Sequence, residues 1–114
     1  MNTVNIIANL TKDPEDFGNK GSKFSVAWNT SYTNNETGEI TKEVHYFKVI
    51  SYSRAVTKHL SKGSRIGIQG SLRQNRWEKD DQKMQEVVIL AESIDFLDLK
   101  KKDNPNGDDH VDTL

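Results

Sequence analysis

Cysteine is absent from the 114 residues, which excludes disulfides, thiolate nucleophiles and cysteine-ligated zinc and accords with a reducing compartment. Long hydrophobic runs are missing too. The apolar stretches last only a few residues, too short for a membrane-spanning helix, and the opening MNTVNIIANL lacks the basic start and long apolar segment of a secretory signal. A cytoplasmic protein without membrane attachment is the expectation. Charge of one sign is also scarce. Residues 1 to 97 carry 13 Lys or Arg against 12 Asp or Glu, a net +1, and residues 98 to 114 carry three Lys against five Asp, a net −2. Attraction to a polyanion through overall charge is thereby excluded; such a partner would have to be held by local basic groups, by stacking, or by several copies of the chain.

With 33% hydrophobic residues, the chain has material for one domain and one economical core. Strand-like alternation begins at Val4, Ile6, Ala8 and Leu10. It halts at the Pro- and Gly-containing loop TKDPEDFGNKG and resumes through Phe24, Val26 and Trp28 to Tyr32. TNNETGE is a hairpin turn, and Thr41 to Tyr52 forms a third strand. SRAVTKHLSKG changes period: Ser53 is placed as an N-cap, Val56 and Leu60 share a helical face, and Gly63 closes the end. Alternation returns in RIGIQGSLRQNRWE, where Gly67 and Gly70 mark a bend or bulge, and in QEVVILAESIDFLD after the turn KDDQK. The order β-β-β-α-β-β, all-β apart from one short α-helix between strands 3 and 4, suits a small five-stranded barrel, with an open meander as its rival. The expected domain covers residues 1–98. The polar stretch 99–114, with Pro105 and Gly107, is expected to be a flexible acidic tail.

In HYFKVISYS, residues 45 to 53, both faces of a strand carry large apolar groups. With Phe47 and Val49 inside the barrel, Tyr46, Lys48, Ile50 and Tyr52 lie outside; with Ile66, Ile68 and Leu72 inside, Arg73, Asn75 and Trp77 lie outside, Arg76 being nearby. Trp28 shares the face of Phe24 and Val26 and is expected in the core. Aromatic rings interleaved with cations suit single-stranded nucleic acid, bases stacking on rings and phosphates lying along the basic groups. The same residues also suit cross-strand packing or burial at a subunit interface, and the pattern leaves both readings open.

Other chemistry finds little support. KDPED lacks the ligand ladder of a calcium loop, and His45, His59 and His110 have neither HxxxH spacing nor cysteine partners, so no metal site is expected. GIQG lacks the ending of a phosphate loop, and no local serine–histidine–carboxylate signature occurs. The chain reads as a non-enzyme needing no cofactor.

VNIIANLTKDPE, FSVAWNTSY, TGE, EVHYFKVISY, KGSRIGIQGSLRQNRW and a closing strand ending in IDFL, in this order from about Thr3 to Leu97, resemble the bacterial and phage single-stranded-DNA-binding proteins. The resemblance implies an oligonucleotide/oligosaccharide-binding (OB) barrel of Greek-key type, a homotetramer, and sequence-independent coating of single-stranded DNA in replication, recombination and repair, with a cytoplasmic, nucleoid-associated location. It implies stacking by Trp77, Tyr46, Tyr52 and Tyr32, and phosphate contacts from Lys48, Arg54, Lys62, Arg73 and Arg76. Two departures stand out: the segment between Tyr52 and Leu60 is shorter than the family's helix region, and the chain ends DDHVDTL where the family tail ends in acids followed by Ile-Pro-Phe, the hook for replication and repair partners. A primosomal accessory protein with the same barrel, and an adaptor barrel that binds protein, are the alternatives.

Overall fold

The computed structural model describes residues 1–16, 21–53, 58–97 and, as backbone, 110–112. Seven strands are present: β1 (Val4–Leu10), β2 (Glu15–Asp16), β3 (Ser22–Thr33), β4 (Ile40–Ser51), β5 (Arg65–Lys79), β6 (Gln82–Phe96) and β7 (His110–Asp112). The five long strands are those whose alternation announces them. β2 and β7 are additions: β2 pairs Glu15 and Asp16 with Lys23 and Ser22 of β3, and β7 runs antiparallel to Ser93–Asp95 of β6, within the stretch the sequence reads as a flexible tail. The short helix expected over 53–60 falls mainly on residues 54–57, outside the described residues; Lys58 and His59, at its end, are helical.

The strands close on themselves. Antiparallel ladders link β3 to β4, β4 to β6 is parallel through Val49–Ile89 and Ile50–Leu90, β6 to β5 and β5 to β1 are antiparallel, and β1 returns to β3 through Asn9–Ala27 and Leu10–Val26. A five-stranded barrel with this closure is the OB fold, and it excludes the open meander. Inside lie Ala8, Leu10, Phe24, Val26, Val49, Ile66, Ile68, Ile89, Ala91, Ile94 and Phe96, with Leu60 added from beyond the strands. Each fully buried Ile or Val stabilises the fold by about 1.5–3 kcal/mol, so a small set of them suffices for an economical core.

Two hairpins outrun the barrel. β3 and β4 stay paired out to Thr33–Ile40, and β5 and β6 out to Lys79–Gln82, but β1 meets β3 only at residues 26–27 and ends its ladder on β5 at Val4–Gly70. Past those points the inward faces lose their cover. This corrects three expectations. Trp28 keeps the parity of Phe24 and Val26 yet is 40% exposed, Phe47 opposite Val26 is 36% exposed, and Leu72 just beyond Gly70 is 48% exposed. The bend expected near Gly67 and Gly70 is located at the second: the β5–β6 register jumps between Gln69–Ser93 and Gly70–Ala91, leaving Glu92 as the extra residue on β6. Asn2 fastens the chain start to this arm, its side-chain amide accepting from Leu72 N at 2.8 Å and donating to Leu72 O at 3.0 Å.

Candidate nucleic-acid interface

Strand parity and ladder register assemble one outer face. On β4 it carries Tyr46, Lys48 and Ile50, with Tyr52 just after the strand; on β5, Arg73, Asn75 and Trp77; on β6, Met84, Glu86 and Val88, which stand opposite Trp77, Asn75 and Arg73. The parallel Val49–Ile89 and Ile50–Leu90 pairs hold the β4 and β6 rows side by side. A cleft lined by Ile50, Tyr52, Arg73, Asn75, Val88 and Leu90 joins the barrel end of β4 to the β5–β6 arm, and a second, of about 270 Å³, contains Lys12, Lys23, Lys48, Asn75 and Glu86. Tyr46 is 67% exposed and Trp77 39%, so neither ring is spent on the barrel interior.

The electrostatics centre on Glu86. Lys48 Nζ donates to Glu86 Oε2 at 2.8 Å, and Asn75 Nδ2 donates to Oε1 at 3.4 Å. The hydrogen bond from the Lys48 ammonium holds the Glu86 carboxyl below its usual value; partial burial opposes this, while Asn75 and the charge of Lys23 assist it. Four groups in this cluster, Lys12, Lys23, Asn75 and Glu86, do not figure among the site residues expected from the sequence. Lys23 and Glu86 carry the right parity on β3 and β6, but EVVIL is apolar on both faces and hides the alternation around Glu86.

The remaining expected residues are dispersed. Tyr32 pairs with Thr41 on the opposite face of the β3–β4 arm, the face of Trp28, whose ring tilts against His45 at a centroid distance of 5.4 Å. Arg76 points to the far side of the β5–β6 arm from Trp77 and hydrogen-bonds Gln74, though both line a cavity that wraps the arm. Lys62 sits in the turn before β5, its amide donating to Asp13 Oδ1 at 2.7 Å. Arg54 lies outside the described residues. Among the described residues no three His, Asp or Glu side chains gather in a way that could hold a metal ion, and no helix is long and apolar enough to cross a membrane.

Residues 1–97 match the model of the Single-strand binding protein family. The chain is 33% identical over 108 residues to the single-stranded DNA-binding protein of Aquifex aeolicus, covering 89% of this chain and 73% of that one. To the single-stranded DNA-binding protein 1 of Staphylococcus aureus it is 32% identical over 116 residues, covering 95% and 72%. These relatives are named for DNA binding and not for an enzymatic activity. In three dimensions the chain superposes on the Plasmodium falciparum SSB in its complex with ssDNA with a TM-score of 0.72 at 24% identity, covering 86% of this chain and 96% of that one, a likeness of fold.

Proposed function

The chain belongs to the single-strand binding protein family, and from that premise we propose that it binds single-stranded DNA without strong sequence preference and without catalysis, serving replication, recombination and repair in the cytoplasm. The observation that carries this reading is the joint placement of Tyr46, Lys48, Tyr52, Arg73 and Trp77 on one outer face across β4 and β5. Bases stack on the rings, each worth about 1–3 kcal/mol and indifferent to base identity because every base has a π-face, while phosphates run along Lys48 and Arg73. Rings supply what a domain of net +1 cannot supply by charge.

Tyr32 and Arg76, on the far sides of the two arms, take a second role, toward segments of nucleic acid that wrap past them; Lys62, in the turn before β5, and Arg54 are further phosphate contacts in this reading. A homotetramer would multiply the site and compensate for the modest charge of each copy. Replication or repair proteins would be reached through the acidic stretch 99–114.

Titration with oligo-dT at several salt concentrations tests the reading. Arg73→Ala is expected to weaken binding to all sequences alike and to reduce the magnitude of the salt slope by about 0.7, the share of one phosphate on a single strand. An affinity that varies with base sequence and ignores salt would contradict it. Absence of any binding at low salt would favour the protein-binding adaptor instead, and a dimeric mass in solution would favour the primosomal accessory protein.

A further inference from the structure

A carboxylate in the middle of a surface meant for phosphates is an anomaly. Glu86 stands there, between the row of β4 and the row of β5, with Lys12, Lys23 and Lys48 around the same cleft. Its partner is Lys48, the only cation of that row on β4 that the proposed function assigns to a phosphate, and the 2.8 Å contact occupies the ammonium in the unbound protein. The Lys48 side chain is 65% exposed and that of Glu86 27%, so the pair is open to exchange with an anion from solution. Asn75 retains one oxygen of Glu86 and keeps the carboxylate in place while Lys48 is free to swing.

We infer that Glu86 is a built-in substitute for a DNA phosphate: it holds Lys48 in the free protein and must surrender it when a strand enters, so it limits both affinity and ion release at this site. The inference rests on the proposed single-strand binding. Glu86 is a positioning residue, acting through Lys48. When Lys48 passes from Glu86 to a phosphate, the strand releases a condensed cation, but the abandoned carboxylate attracts one back. The wild-type protein therefore shows a shallower salt dependence than its basic contacts would give if all were free. Releasing Lys48 restores the missing portion.

The test is a set of oligo-dT titrations over a salt series with wild type, Glu86→Gln, Lys48→Ala and the double variant, with Glu36→Gln, on the tip turn of the β3–β4 arm, as a control for loss of one negative charge. Glu86→Gln is expected to tighten binding about three- to ten-fold at low salt, because an exposed competing pair and a like charge are removed together. It is also expected to steepen the salt slope by up to about 0.7. In the Lys48→Ala background the same change at Glu86 should leave the slope nearly unaltered, and Glu36→Gln should leave slope and affinity near wild type. Steepening of equal size with and without Lys48 would mean that Glu86 acts by bulk charge alone, and the inference fails. Weaker binding by Glu86→Gln would mean that the carboxylate presents Lys48 productively, which also overturns it. Wild type that binds oligo-dT normally while Glu86→Gln changes nothing removes the inference and spares the proposed function; wild type that does not bind removes both.

Discussion

Replacing Trp77 by alanine is expected to lower affinity for oligo-dT about 5- to 150-fold, the equivalent of one lost stacking platform, while leaving the unfolding temperature near wild type. The ring is 39% exposed and sits on the β5–β6 arm opposite Met84, away from the barrel core. The packing lost is that of the arm and not of the barrel core. Fluorescence can follow the result, but the exposure of Trp28 matters here: two indoles report, not one. In wild type, an oligo-dT too short to wrap past the arms should quench the Trp77 contribution, and the Trp77→Ala protein should retain Trp28 emission with little response to that strand. Undiminished quenching in Trp77→Ala would place the bases on the face of Trp28 and Tyr32, across the β3–β4 arm from Tyr46. One substitution thus chooses between the two aromatic faces.

Gly70→Ala is expected to destabilise the barrel by about 1–3 kcal/mol, the usual result of forcing an extra carbon into a filled site. An added Cβ would come to 2.1 Å from the Leu90 carbonyl oxygen, 2.9 Å from its carbon and 3.2 Å from Ala91 Cα. All three are backbone atoms of β6, beside the register jump, and no side-chain rotation relieves the overlap. Thermal unfolding reads the effect directly, at roughly 4–8 °C per kcal/mol for a domain of this size. Gly67→Ala is the control: its Cβ would meet Asp95, Ile7 and Leu97 side-chain atoms at 3.8–4.0 Å, ordinary contact distances. If both variants melt alike, the bulge can open and the β5–β6 crossing is not fixed by Gly70. If only Gly70→Ala melts early, the arm bearing Arg73 and Trp77 owes its direction to a missing side chain.

Periodicity made most of this legible. Tyr46, Lys48, Ile50 and Tyr52 alternate with Phe47 and Val49, and Arg73, Asn75 and Trp77 alternate with Leu72 and Gln74, so the shared outer face follows from counting by two. Parity also assigned Trp28, Phe47 and Leu72 to the correct side of their strands. What a strand's own alternation does not contain is the length of its neighbours. β1 runs from Val4 to Leu10 and covers β5 only as far as Gly70, so residues beyond that line face inward without a β1 partner. Glu86 escaped for a related reason: its environment is made by Lys48, 38 positions away in the chain, and its own surroundings in EVVIL are apolar. The two short strands, β2 and β7, contain too few residues to show a period at all.

The hairpin that carries Trp77 turns through Asp80 and Asp81, both in the left-handed region at φ 53° and 63°, where glycine, asparagine and aspartate enter more readily than other residues. Only the pairs Glu78–Lys83 and Lys79–Gln82 separate Trp77–Met84 from that turn. Ladder ends open more readily than a closed barrel, so the indole is expected to move more than Tyr46 and Tyr52, which stand by the barrel wall. Two aspartates, with no glycine between them, thus make the tight bend that lies two pairs beyond the indole.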